Sequence, residues 1–504
     1  MKKLFFFLQS FVPLASAAVF VLPVLPHAHA QQSGTSLPQA PREFRGAWVT
    51  TLRNLDWPSE PGLSAERQQR ELVAIMDHAV ELRLNAIILQ VRSMGEAFYR
   101  SEHAPWSHFL TGEMGRNPGY DPLEFAVREA HRRGLELHAW LNPYRMHFDV
   151  QQGGIGAGHM SRTRPGLVRR YGNLLWLDPT EAATREHVLD VVREVVRNYD
   201  IDGIQIDDYF YPWPEDGRDF PDDRNWEQYQ ASDGRLSRGD WRRRHVNELV
   251  QRFYEEVKAE NSAVKVGISP FGIWRPGHPE GIAGADQYEM LYADPRLWLN
   301  RGWVDYLAPQ LYWNIRQERQ SYPRLLAWWV SENTRNRHIW PGLATWKITE
   351  NNWPASEIVD QIEIARRTRG AGGHIHFRYQ WLLHDRNGIS GTLRANAYTG
   401  PALVPASPWL GGDQPSRPQI GINENPGSGG AALRFQSPAD ENLRLWAVYT
   451  RQRDGWHFHQ IIPAYRRTGG TIQVPPSFRG ASHLAITAVN RIGLESDPAV
   501  VRLP

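Results

Sequence analysis

Two adjacent carboxylates, Asp207 and Asp208, are the side chains of this sequence best placed to do acid and base chemistry. They follow the short apolar run 203–206 and precede an aromatic, proline-containing segment, 209–212. A buried strand that delivers acids into a pocket has this pattern, and acids at the carboxyl end of a strand indicate a catalytic mouth. The alternative for an Asp-Asp pair is a solvated turn or a helix cap, because acidic side chains are mostly exposed.

Amide, arginine and aromatic side chains follow several other strand-like runs, and these are the candidates for substrate binding. They are Trp48, Arg92, Asn142, Tyr144, Gln310, Tyr312, Trp313 and Trp346. Barrel filling is the alternative explanation for the tryptophans, and pairing with loop acids is the alternative for arginines such as Arg145. Polar groups and aromatic rings around one carboxylate pair suit the hydrolysis of glycosidic bonds in an aromatic-lined cleft.

The sequence lacks the residue patterns that metal-dependent, serine and cysteine hydrolases need. There is no His-Glu-x-x-His or His-x-x-Glu-His spacing, so we expect no metal site, and we predict no cofactor. There is no Gly-x-Ser-x-Gly elbow of a serine hydrolase and no cysteine for a thiolate nucleophile.

The adjacency of the two acids favours one glycosidase mechanism over another. Ordinary glycosidases place two acids on different strands, on either side of the bond. The run 339–345 carries no acid, and Glu350 lies beyond it in a loop. An adjacent pair suits the route in which the sugar's own 2-acetamido oxygen attacks, one carboxylate orients it and its neighbour protonates the leaving oxygen. A second acid across the bound sugar, Glu96 or Glu350, would indicate the conventional mechanism instead.

Strand-like and helical patterns alternate along residues 42–400 and predict the element that positions these groups. The strand-like runs are 44–51, 86–92, 135–142, 203–208, 264–269, 306–312, 339–345 and 374–379, and the helical runs are 65–84, 123–133, 181–199, 241–260, 322–333 and 356–368. Eight strands alternating with helices predict a (β/α)₈ barrel, whose catalytic groups gather at the carboxyl ends of the strands. A doubly wound open sheet is the alternative, although no Gly-x-Gly-x-x-Gly follows the first strand.

The first 30 residues have the order of a secretory signal peptide. Lys2 and Lys3 precede an apolar run, and Ala28-His29-Ala30 supplies a small-x-small cleavage site. We therefore expect a mature protein that begins near Gln31, has no transmembrane segment and resides in the periplasm or the medium. With 57 basic and 55 acidic residues, the chain has no charge excess that would favour a nucleic acid or an anionic membrane as partner.

The end of the chain predicts a second, all-β domain. A linker is expected at 31–41 and another, rich in proline, serine and glycine, at 401–418. Residues 419–504 contain short strand-like runs at 433–436, 443–451, 458–462, 471–474, 484–489 and 500–503, which predict a β-sandwich. The segment 486–496 resembles the last hairpin of a fibronectin type III domain, although Leu484 stands where that strand usually has a tyrosine. Binding of glycan or of a protein partner and a spacer role are both open.

Three segments also carry a family resemblance. They are Arg42-Glu43-Phe44-Arg45-Gly46-Ala47-Trp48-Val49-Thr50-Thr51, the run from Gln90 to Ser107, and Asp202-Gly203-Ile204-Gln205-Ile206-Asp207-Asp208-Tyr209-Phe210-Tyr211-Pro212. They resemble the bacterial glycosyl hydrolase-like 10 family over about residues 42–395. The resemblance implies a TIM-like barrel and an enzyme that cuts peptide-free peptidoglycan, a polymer of N-acetylglucosamine and N-acetylmuramic acid. The lipoproteins of that family carry an anchoring cysteine, which this chain lacks.

By analogy with acetamido-assisted hexosaminidases, Asp207 is expected to orient the acetamido group and Asp208 to be the general acid and base. Tyr312 is expected to hydrogen-bond near the acetamido group, because it lies where a sixth-strand tyrosine of chitinases would. The competing hypothesis is a non-catalytic, glycan-binding barrel of the cell envelope, which would explain the aromatic residues but would not need Asp207 and Asp208 together.

Overall fold

The computed structural model describes residues 37, 39–152, 154–215, 217–425, 430–473, 478 and 480–503. The predicted signal peptide, residues 1–30, the predicted start at Gln31 and most of the predicted linker 31–41 lie outside the described residues. None of the helices described is both long enough and apolar enough to cross a membrane.

The described strands between residues 42 and 400 all belong to one parallel sheet, except for three short strands. In chain order they are β1 (Phe44–Val49), β2 (Ala86–Arg92), β3 (Glu136–Leu141), β4 (Arg145–His147), β5 (Val168–Tyr171), β6 (Leu174–Leu177), β7 (Gly203–Ile206), β8 (Lys265–Ile268), β9 (Tyr306–Leu307), β10 (His338–Ile339), β11 (Gly342–Ala344) and β12 (Gly373–Phe377). The exceptions, β4, β5 and β6, form a small antiparallel sheet in the order β4-β6-β5, which the sequence patterns did not predict.

The parallel sheet closes on itself. Its strand order is β10-β9-β8-β7-β3-β2-β1-β12-β11, so β10 and β11 are its two edges. These edges are consecutive pieces of one segment, separated by Trp340 and Pro341. Because β10 pairs with β9 and β11 pairs with β12, the segment joins both edges of the sheet. The predicted eight-strand barrel is confirmed, with its seventh strand in two pieces, and the open-sheet alternative is wrong.

Helices lie between the barrel strands in chain order. They are α1 (Ala65–Glu81), α2 (His108–Thr111), α3 (Pro122–Arg132), α4 (Met160–Thr163), α5 (Ala182–Asn198), α6 (Asp223–Ala231), α7 (Arg238–Glu260), α8 (Gln287–Met290), α9 (Pro295–Arg301), α10 (Tyr322–Ser331), α11 (Lys347–Glu350), α12 (Ala355–Arg367), α13 (Tyr379–Leu383) and α14 (Ile389–Asn396). The six predicted helices correspond to α1, α3, α5, α7, α10 and α12. Ser64 caps α1 by accepting the backbone N–H of Arg67.

Strand alternation divides the barrel side chains between two cores. In β2, Ile87 and Leu89 pack outward against the helices, whereas Ala86 and Ile88 belong to the inner cluster that contains Trp340. A side-chain period of two residues produces this division, so every second residue of a barrel strand faces the barrel axis. The same alternation decides which polar residues can reach the mouth of the barrel.

A seven-stranded sandwich follows the barrel in the described residues. Its strands are β13 (Gln419–Asn425), β14 (Gly430–Gln436), β15 (Leu443–Gln452), β16 (Gly455–Pro463), β17 (Gly469–Gln473), β18 (His483–Asn490) and β19 (Ala499–Arg502). Three strands form the sheet β13-β14-β17 and four form β16-β15-β18-β19. Leu433 and Phe435 from the first sheet pack on Trp446 and Ile486 from the second. The first of these strands, β13, is absent from the sequence-based prediction.

Candidate active site

Asp207 and Asp208 follow β7 directly, at the carboxyl end of the fourth barrel strand. Asp207 is only 3% exposed and is held by two neighbours on β3 and its following loop. The indole Nε1 of Trp140 donates to its Oδ2 at 3.0 Å, and the Asn142 amide donates to its Oδ1 and Oδ2 at 3.1 and 3.2 Å. Burial raises the pKa of Asp207, while Arg145 and these two donors oppose the rise. The result is a carboxyl group in a fixed orientation.

Asp208 has a different environment, although it is only 5% exposed. Burial and the neighbouring Asp207 raise its pKa to about 7, while a hydrogen bond from the Gln310 side chain and the charge of Arg145 act in the opposite direction. A carboxyl group with this pKa carries a proton for a large fraction of the time at neutral pH. That is the property a general acid needs.

Arg145, the first residue of β4, supplies the positive charge next to the acid pair. It is 6% exposed. Its guanidinium carbon lies 4.1 Å from the ring centroid of Tyr209 and 5.8 Å from that of Trp176. Pairing with loop acids was the alternative for this arginine, and the structure places its guanidinium beside Asp207 and Asp208. The strand β4 that positions it belongs to the sheet that the sequence patterns did not predict.

Three of the predicted binding residues form an aromatic group on one side of the acids. The Tyr312 ring centroid lies 4.8 Å from that of Trp346 and 5.8 Å from that of Phe377, and Trp48 meets Phe377 edge-on at 6.0 Å. Burial and the charges of Asp208 and Tyr209 raise the pKa of Tyr312 well above its usual value, so its hydroxyl stays protonated beside Asp208. Phe377, the last residue of β12, was missed, although it lies within the predicted strand 374–379.

Gln310 and Trp313 both contact the segment that follows β8. The Gln310 amide donates to the carbonyl of Ser269 at 3.1 Å and hydrogen-bonds to Asp208. Trp313 contacts the ring of Phe271, at a centroid distance of 5.5 Å. Both residues therefore border the mouth at the end of the sixth barrel strand.

Arg92 and Tyr144 are not brought to the acid pair. Arg92 is buried and donates to the carbonyl of Asn142 at 2.8 Å, and its charged and hydroxyl neighbours are Glu194 of α5 and Tyr99. The pairing of β2 with β3 is irregular between Gln90 and Arg92, which breaks the inward and outward alternation at this strand end. Tyr144 is fully buried with Arg185 and Asp178 as its charged neighbours, so it also faces away from the mouth.

Glu96 and Glu350, the two acids considered for a conventional mechanism, are not available as a second catalytic acid beside Asp207 and Asp208. Glu96 is fully buried, and its carboxylate accepts from the Ser107 hydroxyl at 2.6 Å and from the backbone N–H of His108 at 3.0 Å. Glu350 is exposed at the end of α11. Within the described part of the chain, no group of three or more histidine and acidic side chains is arranged to hold a metal ion.

Comparison with known proteins identifies similar sequences over most of the chain. The family model described as "Glycosyl hydrolase-like 10" matches residues 43–358. The chain is 38% identical over 445 residues to "Glycosyl hydrolase YngK" of Bacillus subtilis (strain 168), covering 85% of this chain and 86% of that protein. It is 32% identical over 375 residues to "Glycosyl hydrolase DigH" of Escherichia coli (strain K12), covering 68% of this chain and 84% of that protein. Among solved structures, the glycoside hydrolase domain of PgaB (BpsB) from Bordetella bronchiseptica matches 71% of this chain and 99% of that one, with a TM-score of 0.48 and 13% identity.

Proposed function

Because the chain belongs to the glycosyl hydrolase-like 10 family, a family of glycosidase type, we propose that it cleaves N-acetylhexosamine-containing cell-wall glycan, in particular peptide-free peptidoglycan strands. The observation that carries the proposal is the pair of buried, adjacent acids at the end of β7, one held by Trp140 and Asn142 and the other with a pKa of about 7. Such a difference between neighbouring carboxyl groups is what an acid and base mechanism requires.

The proposed mechanism assigns a different role to each acid. Asp207, fixed by its two donors, orients the 2-acetamido group of the bound sugar so that the acetamido oxygen attacks C1. The bond from C1 to the leaving oxygen breaks, and Asp208 gives its proton to that oxygen. In the second half of the reaction water attacks C1, the bond between C1 and the acetamido oxygen breaks to restore the acetamido group, and Asp208 takes a proton from the attacking water. Tyr312 keeps its proton beside Asp208 and donates a hydrogen bond near the acetamido group.

The proposed location and the proposed domain limits are consistent with a hydrolase of cell-wall glycan. An exported protein would meet this substrate, and the signal-like residues 1–30 support a periplasmic or extracellular location. The sandwich, with sheets of three and four antiparallel strands, supports a fibronectin type III-like domain at 419–504. We propose domain limits of 42–400 for the barrel and 401–418 for the connection to that domain.

Hydrolysis of amidase-treated, peptide-free glycan strands, followed by mass analysis of the new ends, tests the function. Asp208→Asn and Asp207→Asn should each lower the rate by about 10²–10⁴ while the fold is kept. Asp294→Asn is a matched control, because asparagine can keep the cap that Asp294 provides for Leu297 at the start of α9. Wild-type protein that binds these strands without cutting them would instead support the non-catalytic binding barrel. Asp208→Asn that keeps most of the activity would reject the assignment of the acid.

A further inference from the structure

A strip of three aromatic rings, Trp213, Phe271 and Trp313, has no role in the chemistry proposed above. Phe271 lies between the two indoles, with centroid distances of 5.4 Å to Trp213 and 5.5 Å to Trp313. The three residues lie in the segments after β7, β8 and β9, at the catalytic end of neighbouring barrel strands. All three are half-buried, whereas core tryptophans such as Trp298 and Trp329 are fully buried. The strip is therefore an accessible surface as well as part of the packing.

The strip is continuous with the acid pair. Phe271 forms a parallel bridge with Gln310, whose side chain hydrogen-bonds to Asp208. Gly272 makes room for this arrangement, because a Cβ there would lie 2.7 Å from Cζ3 of Trp313 and 2.3 Å from the Gln310 carbonyl oxygen. A larger residue at position 272 would move Trp313 away from Phe271. The contact between Trp313 and the loop after β8, which carries Phe271, thus depends on a glycine at position 272.

Tyr312 and Trp313 are consecutive, yet they join different aromatic groups. Tyr312 contacts Trp346 and Phe377, while Trp313 contacts Phe271. Asp208 is a neighbour of Tyr312 and also contacts Gln310, which pairs with Phe271, so both aromatic groups border this acid. A glycan chain that is cut at Asp208 has a sugar on each side of the broken bond.

We propose that the strip of Trp213, Phe271 and Trp313 is a second glycan subsite, which holds an uncharged N-acetylhexosamine unit next to the sugar bound in the Tyr312 group. Sugar rings present apolar C–H faces that pack against aromatic rings, and none of the three side chains carries a charge. The inference rests on the proposed function, since it places the neighbouring unit of the same chain. It also gives Trp213 and Phe271 a binding role that the sequence patterns did not assign.

Calorimetric titration of the Asp208→Asn protein with chitooligosaccharides of two, four and six units tests the subsite without hydrolysis. Affinity should rise with chain length, and Trp213→Ala or Phe271→Ala should remove most of that rise. We expect about a tenfold weaker affinity for the hexamer, and a much smaller loss for the dimer. Trp456→Ala is the control, because Trp456 is also half-buried but lies on β16 of the sandwich.

The outcomes separate the subsite from the proposed function. The subsite would be overturned if affinity rose with oligosaccharide length in both variants as much as in the Asp208→Asn parent. An equal loss of affinity for the dimer and the hexamer would also overturn it. A protein that binds no oligosaccharide of any length would overturn the subsite and count against the proposed function. If the wild type cuts no glycan while the strip still governs the length dependence, only the proposed catalysis fails.

Discussion

Two neighbouring aspartates that directly follow β7 receive different environments. Asp207 still follows the inward alternation of β7 and meets Trp140 and Asn142 from the adjacent β3 side. Asp208 lies one residue further on, where Gln310 reaches it from the sixth strand. The hydrogen-bond donors that favour ionisation are concentrated on one carboxyl group, and the proton is therefore retained on the other.

The pH dependence of hydrolysis should show this difference. Asp208 acts as an acid only when protonated, so kcat/KM should fall as the pH rises through its pKa of about 7. Gln310→Leu removes a hydrogen bond that favours the ionised form, so the pKa should rise and the alkaline limb should move upward by about half to one pH unit. The measurement is the pH profile of kcat/KM on peptide-free glycan. A limb that stays in place, or moves to lower pH, would contradict the role of Gln310, and Asp294→Asn should leave it unchanged.

Position at the end of a strand explains which site residues could be predicted from the sequence. Asp207, Asp208, Gln310 and Tyr312 follow recognisable strands, and the structure brings them together. Arg92 was placed in the cleft because it ends the predicted strand 86–92, but the register is irregular just before it and its charged neighbour is Glu194 of α5. No local pattern in the sequence reveals a bulge of this kind.

The barrel strands and main helices were predictable because each has a strong apolar period. The pieces that were not predicted are short and depend on tertiary contacts. The strands β4, β5 and β6 have three or four residues each. The seventh barrel strand is interrupted at Pro341, which has no N–H to donate to the sheet. Short, irregular elements of this kind surround the mouth and carry residues such as Arg145.

Gly267 on β8 lies against the ring of Tyr306, which leaves no room for a side chain at this position. A Cβ at this position would lie 2.0 Å from Cζ of Tyr306. Tyr306 is fully buried, its hydroxyl lies 3.0 Å from Nδ1 of His138, and its ring stacks on Trp340 at 4.6 Å. The ring therefore cannot move away without breaking its contacts with His138 of β3 and with Trp340.

Gly267→Ala should destabilise the barrel by about 2–3 kcal/mol, because the added methyl overpacks a rigid aromatic layer. Thermal unfolding followed by circular dichroism should show a melting temperature lower by about 5 °C or more. Gly166→Ala is the control, since a Cβ at Gly166 has nothing within 4 Å and its effect should stay within about 0.5 kcal/mol. Equal melting temperatures for the two variants would show that the interior relaxes around the methyl group.

The sandwich is packed against the barrel end opposite to the acids. Ala447, Tyr449 and Ala485 from its four-stranded sheet share a core with Ala40 and Leu403. Polar contacts continue this interface, since Lys265 at the start of β8 donates to the carbonyl of Arg491 at 3.0 Å. The sandwich therefore covers the floor of the barrel, which is a structural role independent of any ligand of its own.

Arg444 of β15 links this floor to the start of the catalytic strand. It donates to Asp202 at 3.2 Å and to Asp200 at 2.8 Å, just before β7 begins. Asp202 is 1% exposed and also accepts from Leu137 N–H at 2.9 Å, with His131 Nε2 at 2.8 Å. Burial acts to raise the pKa of Asp202, but His131 and Arg444 hold it well below its usual range. Asp202 therefore contributes stability above its unfolded pKa of about 4, and this contribution is lost as the pH falls below that value.

Arg444→Met should lower the free energy of unfolding by about 2 kcal/mol at neutral pH, because buried Asp202 loses a partner while His131 and the Leu137 N–H remain. The difference from the wild type should shrink below about pH 4, since the variant has less ionic stabilisation of Asp202 to lose on acidification. Thermal unfolding at pH 7 and at pH 3 measures both effects. Arg434→Met is the control, because Arg434 is exposed on β14 of the other sheet. A loss that is equal at both pH values would assign the effect of Arg444 to side-chain packing, and an unchanged melting temperature would show that the barrel holds its catalytic strand without the sandwich.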